Sequence, residues 1–101
     1  MKTLNFGIEI ELTGITRNTA AKIIAAYFVT SETYHEGGTY DTYTAKDRRG
    51  RTWKAMFDSS IRAEKKNGEP AGDLYKTEVV SPILTYDDIE DLQEVVILIS
   101  N

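Results

Sequence analysis

Residues 4–13 read LNFGIEIELT, and this stretch decides the fold. After Gly7 apolar and polar residues alternate, so Ile8, Ile10 and Leu12 share one side and Glu9, Glu11 and Thr13 the other. That is the pattern of a half-buried strand. One side needs a covering layer, and the other faces outward with two carboxylates. The covering layer is close at hand in the sequence. From Thr16, suited to an N-cap, Ala20, Ile23, Ile24, Tyr27 and Phe28 recur at the spacing of one helical face, and the helix is expected to end near Val29.

Further along, Tyr34–Tyr43 is rich in Tyr, Thr and Gly, and Gly37-Gly38 marks a turn before a strand at about Thr39–Lys46. Asp47-Arg48-Arg49-Gly50 reads as a tight hairpin turn with Gly50 free to take a left-handed backbone. The return strand, Arg51–Phe57, puts Trp53, Ala55 and Phe57 on one side and Lys54, Met56 and Asp58 on the other. Glu64–Gly72 is polar, holds Gly68 and Pro70, and reads as a loop. A last strand is expected over Leu74–Val80, ending where Pro82 stops ladder pairing. Thr85 and Asp88 fit a capping box before a second helix, in which Ile89, Leu92, Val96 and Ile99 form one face and Val95–Ile99 is apolar all round. The fold class is therefore α+β: an antiparallel-dominated sheet of about four strands with two helices on one face, in the order β-α-β-β-β-α.

With 101 residues, 41% hydrophobic and 28% charged, the chain suffices for one compact domain. It has no cysteine, which excludes disulfides, thiolate zinc sites and cysteine nucleophiles. No apolar run reaches the roughly eighteen residues of a membrane span, and Met1–Phe6 has no charged-then-apolar leader, so a cytoplasmic location is expected. The net charge of -4 lies wholly in the second half: residues 1–50 carry six basic and six acidic residues, residues 51–101 six and ten. No basic residue follows Lys76. Direct nucleic-acid binding is not expected, because phosphate contacts need clustered Lys and Arg. A protein partner with a basic surface suits Asp87, Asp88, Glu90 and Asp91 better.

The residues that can carry chemistry begin with Glu9 and Glu11, two strand positions and about 7 Å apart. Glu78 and Asp58 fall on the corresponding side of their own strands, with Lys54 and Lys76 nearby. Oxygen-only donors suit a hard divalent cation, Mg²⁺ or Mn²⁺ before Zn²⁺. Alternating polar residues on a strand are ordinarily a solvated sheet face, and spacing alone favours that reading. His35 is the single histidine, more often a surface or packing residue than a ligand. Trp53, sharing a side with Ala55 and Phe57, reads as core. Asp58-Ser59-Ser60 reads as a turn in which Asp58 bonds its own backbone, or as a phosphate-facing turn.

Several segments are familiar together: Phe6-Gly7-Ile8-Glu9-Ile10-Glu11-Leu12-Thr13, Tyr40-Asp41, Gly50-Arg51, Trp53-Lys54 and Asp58-Ser59-Ser60-Ile61. Ala71-Gly72-Asp73, Tyr75-Lys76, Glu78 and Val80-Ser81-Pro82-Ile83-Leu84 complete the set. In order and spacing they resemble the amidoligase family, related to glutamine synthetase and the glutamate–cysteine ligases. The resemblance implies ATP-dependent carboxylate–amine ligation, in which Mg²⁺ and ATP activate a carboxylate as an acyl phosphate that an amine attacks. It implies metal ligands at Glu9, Glu11 and Glu78, with Asp58 and His35 as lesser candidates, and cofactor contacts at Ser60, Lys54 and Lys76.

Members of that family continue past the second helix into a Gly-Ile-His-x-His type strand, which residues 1–101 do not contain. The expectation is thus a metal-binding, non-catalytic relative of the family's amino-terminal part. It would act by binding a protein partner, as a phage or mobile-element inhibitor of a host nucleic-acid enzyme, of anti-CRISPR type, would. The alternative is an ATP- and Mg²⁺-dependent ligase completed by a partner or by a second copy docked through Val95–Ile99, or a truncated fragment of one.

Overall fold

The structure is a computed structural model that describes residues 5–30, 32–60 and 72–100. The strand at the start forms in two pieces. Asn5–Phe6 is β1 and Glu9–Leu12 is β2, followed by α1 at Arg17–Phe28. Thr16 caps α1 as its sequence suggested, its side chain accepting from the Thr19 amide at 3.2 Å. The helix ends on Val29, which takes a left-handed backbone with φ 58°.

Three strands run up and down next: β3 (Thr33–Gly37), β4 (Thr42–Lys46) and β5 (Thr52–Phe57). Then come β6 (Thr77–Val80), β7 (Leu84–Thr85) and, after a short 3-10 turn at Tyr86–Asp88, α2 (Ile89–Ile99). Strands β2-β6-β5-β4-β3 make a five-stranded antiparallel sheet, while β1 and β7 form a separate two-stranded ribbon. The expected count of about four strands is corrected to five and two. Two elements account for the difference. Strand β3 has exposed residues and no apolar alternation to betray it, and β1–β7 is a pairing of two-residue segments some eighty positions apart. The expected strand over Leu74–Val80 is also shorter, because Asp73–Tyr75 turns as a 3-10 helix and pairing starts at Thr77. The loop expected over Glu64–Gly72 lies, up to Ala71, outside the described residues.

Helix α1 covers β4 and β5, and α2 packs chiefly along α1 rather than on the sheet. The core is Ala20, Ala21, Ile24, Ala25 and Phe28 from α1 against Ala45, Trp53, Ala55 and Val79 from the sheet, closed by Leu84, Val95 and Ile99. Trp53 is a core residue, as its strand position indicated; Phe28 packs on it with ring centroids 5.6 Å apart. Of the apolar block at the end of α2, Val95 and Ile99 are buried within the domain, so only Ile97 and Leu98 stand out as exposed. Among the described residues no helix is long and apolar enough to cross a membrane.

The hairpin turn ties these layers together. Asp47 is buried and accepts from the Arg49 and Arg51 amides, from Arg51 Nε at 2.8 Å and from Trp53 Nε1 at 3.1 Å. Arg48 crosses to α2, donating to Asp91 at 3.1 Å over the rings of Tyr27 and Phe28.

Candidate functional site

Opposed residues in an antiparallel ladder share a face. Register therefore puts Glu11, Glu78 and Met56 in one row across β2, β6 and β5, with Glu9, Val80 and Lys54 in the next. Their neighbours Ile10, Val79 and Ala55 belong to the opposite, helix-covered face. Thus the sheet sorts its residues as the alternation of residues 8–12 required: core inward, carboxylates outward.

Glu9 and Glu11 are exposed and Glu78 is half-buried. Burial raises the Glu78 carboxyl above its ordinary value, and the negative charges of Glu9, Asp58 and Glu11, with a hydrogen bond to Glu9, raise it further. Among the described residues no cation forms an ion pair with Glu78. Asp58 behaves oppositely. It accepts from the Ser60 amide at 2.9 Å and the Ser60 hydroxyl at 2.6 Å, and these bonds hold its carboxyl below the usual range. The Ser60 hydroxyl is thereby engaged by Asp58.

Asp58 and Glu78 border a cavity of about 510 Å³, lined also by Thr39, Tyr40, Met56, Phe57 and Ser59. Met56 and Glu78 are paired neighbours on the carboxylate face, whereas the Phe57 ring is on the opposite face beneath Arg17. No group of three Asp, Glu or His side chains among the described residues is placed to hold a metal. The carboxylates of Glu9 and Glu78 are hydrogen-bonded to each other. Mg²⁺ is commonly bound by one or two carboxylates plus substrate phosphates and water, without a full protein cage.

His35 is not on this face. It pairs with Tyr43, whose row is that of Ala55, and its ring stacks on Tyr43 at 4.0 Å. Its Nε2 lies 2.6 Å from Asp41 Oδ1, while Arg17 Nε donates to Asp41 Oδ2 at 2.9 Å. Both contacts, that of His35 first, hold the Asp41 carboxyl low. Arg17 is buried, lies over the Phe57 ring and donates to the Lys76 carbonyl at 3.2 Å. Sequence reading passed over Arg17 and met Asp41 only as part of the Tyr40-Asp41 segment, because the two are 24 positions apart with no spacing signal between them. Lys54 is exposed on the carboxylate face, two strands from Glu9; the Lys76 carbonyl also accepts from the Asp58 amide at 3.4 Å.

The four acids assigned to a partner divide into two kinds. Asp88 is buried under Arg51, and Asp91 receives both Arg48 and the Tyr27 hydroxyl, the latter at 2.7 Å. Asp87 and Glu90 remain exposed beside Tyr86 and Ile89, around a cavity of about 470 Å³. Charge counting along the chain could not separate the pairs, because the cations that claim Asp88 and Asp91 come from the distant hairpin.

Comparison with known proteins gives one match. The family model described as "Putative amidoligase enzyme" covers residues 2–101. No curated protein and no solved structure matches.

Proposed function

We propose that this chain, which belongs to the amidoligase family, uses its open sheet face as a site of ATP-dependent carboxylate–amine ligation, with a divalent cation between the protein and the phosphates. The observation that carries this reading is the gathering of Glu9, Glu11, Glu78 and Asp58 on one face, where burial and the charges of Glu9, Asp58 and Glu11 raise the Glu78 carboxyl. Glu9 and Glu78 would hold Mg²⁺ or Mn²⁺ through one carboxylate oxygen each, leaving positions for water and phosphate. When bound, the cation offsets charge on the transferring phosphoryl group, and ATP supplies the activation of the carboxylate. Lys54, in the same row as Glu9 and about 10 Å away across two strand spacings, is placed to meet a phosphate oxygen.

The test is Mn²⁺ binding with and without ATP, followed by water-proton relaxation and thermal shift. Wild type is expected to bind Mn²⁺ more tightly with ATP present and to gain stability by mass action. Glu9→Gln and Glu78→Gln should each lose that gain. Equal behaviour of wild type and both variants would return the carboxylates to an ordinary solvated face.

A second reading, a basic protein partner, is supported by Asp87 and Glu90, which stay exposed beside the exposed Tyr86. An inhibitor of a nucleic-acid enzyme is one form it takes. Reversing both charges to Lys should abolish capture of such an enzyme; unchanged capture removes α2 from the interface.

A further inference from the structure

Strand β2 is an end strand: among the described residues its one neighbour in the sheet is β6. The ladder fixes where its remaining backbone groups point. The Ser81 amide donates to the Ile8 carbonyl at 2.9 Å and the Ile8 amide donates to the Ser81 hydroxyl, so Ile8 turns its backbone toward β6. Hydrogen-bonded and non-hydrogen-bonded pairs alternate along an antiparallel ladder. Ile10 and Leu12 therefore face β6 as Ile8 does, and the amides and carbonyls of Glu9 and Glu11 point off the sheet. End strands are ordinarily blunted by bulges, proline or lysine. The other end strand, β3, is blunted in this way: its register shifts between His35 and Gly37, and Gly37 and Gly38 take positive φ. Register in β2 is unbroken over Glu9–Leu12, which holds neither proline nor lysine.

Whatever completes this edge is constrained in three directions. Along the edge, Glu9 and Glu11 offer two amides and two carbonyls to an extended backbone. On the helix-covered side Ile8 and Ile10 are only half-buried, because α1 lies over β4 and β5, so the occupant needs apolar residues there. On the open side Glu9 and Glu11 are exposed with Glu78 behind them, so its alternate residues need positive charge. A second copy of β2 fails the last requirement: paired antiparallel with like sides matched, it would bring its own glutamates beside these. We infer that β2 is a docking edge for an extended segment of another polypeptide in which basic and apolar residues alternate, added antiparallel to the five strands present. Antiparallel addition continues the order of the sheet, and it sets basic residues of the segment opposite Glu9 and Glu11 within hydrogen-bonded pairs. Glu11 has no part in holding the cation proposed above, and the docking edge does not rest on that reading.

The experiment is an amide NMR titration of the whole chain, at low salt, with the peptide acetyl-Thr-Lys-Val-Lys-Val-Lys-Thr-amide. Saturable shifts are expected over Glu9–Leu12, with slowed hydrogen exchange at the Glu9 and Glu11 amides. Two control peptides should each bind about tenfold more weakly: one with glutamate in place of every lysine, and one of the same composition in the block order Lys-Lys-Lys-Val-Val-Thr-Thr. The backbone contacts are tested in the peptide, so that no protein variant has to fold. N-methylation of the lysine amides, which donate to the Glu9 and Glu11 carbonyls, should abolish binding; N-methylation of the valine amides, which point away, should leave it unchanged. In the protein, Glu11→Gln should weaken binding about threefold. No saturable shift, shifts centred on β3 or α2 instead, equal binding of either control, or undiminished binding of the lysine-N-methylated peptide overturns the inference. Glu78→Gln should lose the Mn²⁺–ATP response and keep peptide binding, so either proposal can fail while the other stands.

Discussion

Arg51 grips Asp88 with both arms of its guanidinium, NH1 to Oδ2 at 2.9 Å and NH2 to Oδ1 at 2.8 Å. The pair joins the start of β5 to the first turn of α2, and the Asp88 side chain is 6% exposed. Asp88 also receives the Thr85 amide at 2.7 Å, so one carboxylate caps a helix and anchors it to the sheet.

Removing one partner of this pair leaves the other buried without compensation, which costs about 3–5 kcal/mol. Asp88→Ala is therefore expected to lower the free energy of unfolding in urea by about 3 kcal/mol or more, at the low end because Arg51 keeps some solvent contact and Asp47. Arg51→Lys should recover only part of the loss, since an ammonium cannot make the fork. A midpoint unchanged in Asp88→Ala would show that the pair contributes nothing.

The same pair sets the acid limb of stability. Arg51 first, and then the Thr85 amide, hold the Asp88 carboxyl far below its ordinary value. A group with a depressed folded pKa stabilises the fold above its unfolded value, near 3.9, and loses that contribution as pH falls toward the folded one. Thermal stability should be steady down to about pH 4 and then decline, and Asp88→Asn should flatten that decline. A variant that declines as steeply as wild type would assign the acid limb to other carboxylates.

Glu78 has the opposite sign. Its folded carboxyl is raised, by burial first and then by Glu9, Asp58 and Glu11. The native state keeps this proton longer than the unfolded chain, so stability falls as pH rises through the interval between the two values. Glu11 stands directly opposite Glu78 in the β2–β6 ladder, a like-charge pair of the kind that costs up to about 1 kcal/mol. Glu78→Gln should accordingly raise the melting temperature at neutral pH and give no gain once the carboxyl is protonated. Destabilisation at neutral pH would mean that the carboxylate is needed by the fold.

Val29 offers a gain unrelated to the site. It is a β-branched residue at φ 58°, the end of α1, and 80% exposed. A left-handed backbone costs an L-residue about 1–2 kcal/mol, while glycine's extra freedom in the unfolded chain costs about 0.5–1 kcal/mol. Val29→Gly should be net stabilising by about 0.5–1 kcal/mol in chemical denaturation. A loss of stability would show that Val29 packs usefully despite its exposure.

The parts of this fold that were legible in the sequence are those with local periodicity or local chemistry. Ile8–Leu12 alternates, α1 shows a helical face with Thr16 before it, Asp47–Gly50 has turn residues, and Thr85 with Asp88 forms the box it resembles on paper. Strand β3 was not legible because its residues are exposed and its partner alone makes it a strand. The outward placement of Glu9, Glu11 and Glu78 followed from pleat parity. The clasp of Arg17, Asp41 and His35 did not, because it is assembled by a helix end, a turn and an edge strand that only tertiary packing brings together. The contacts of Asp88 and Asp91, which the sequence offered to a partner surface, with Arg51 and Arg48 were hidden for the same reason.

The β2–β6 ladder has a kinetic consequence. It pairs residues 9–12 with residues 77–80, whereas β3, β4 and β5 are joined by hairpins within residues 33–57. Loop closure over the whole intervening chain must precede the first, and microsecond hairpin closure suffices for the second. The meander therefore forms early, and the two strands that carry Glu9, Glu11 and Glu78 meet last. In pulse-labelling hydrogen exchange, the amides of β4 and β5 should gain protection before those of β2. The carboxylate face then exists only in the fully folded chain, so neither cation nor amine can assist the steps that precede its formation.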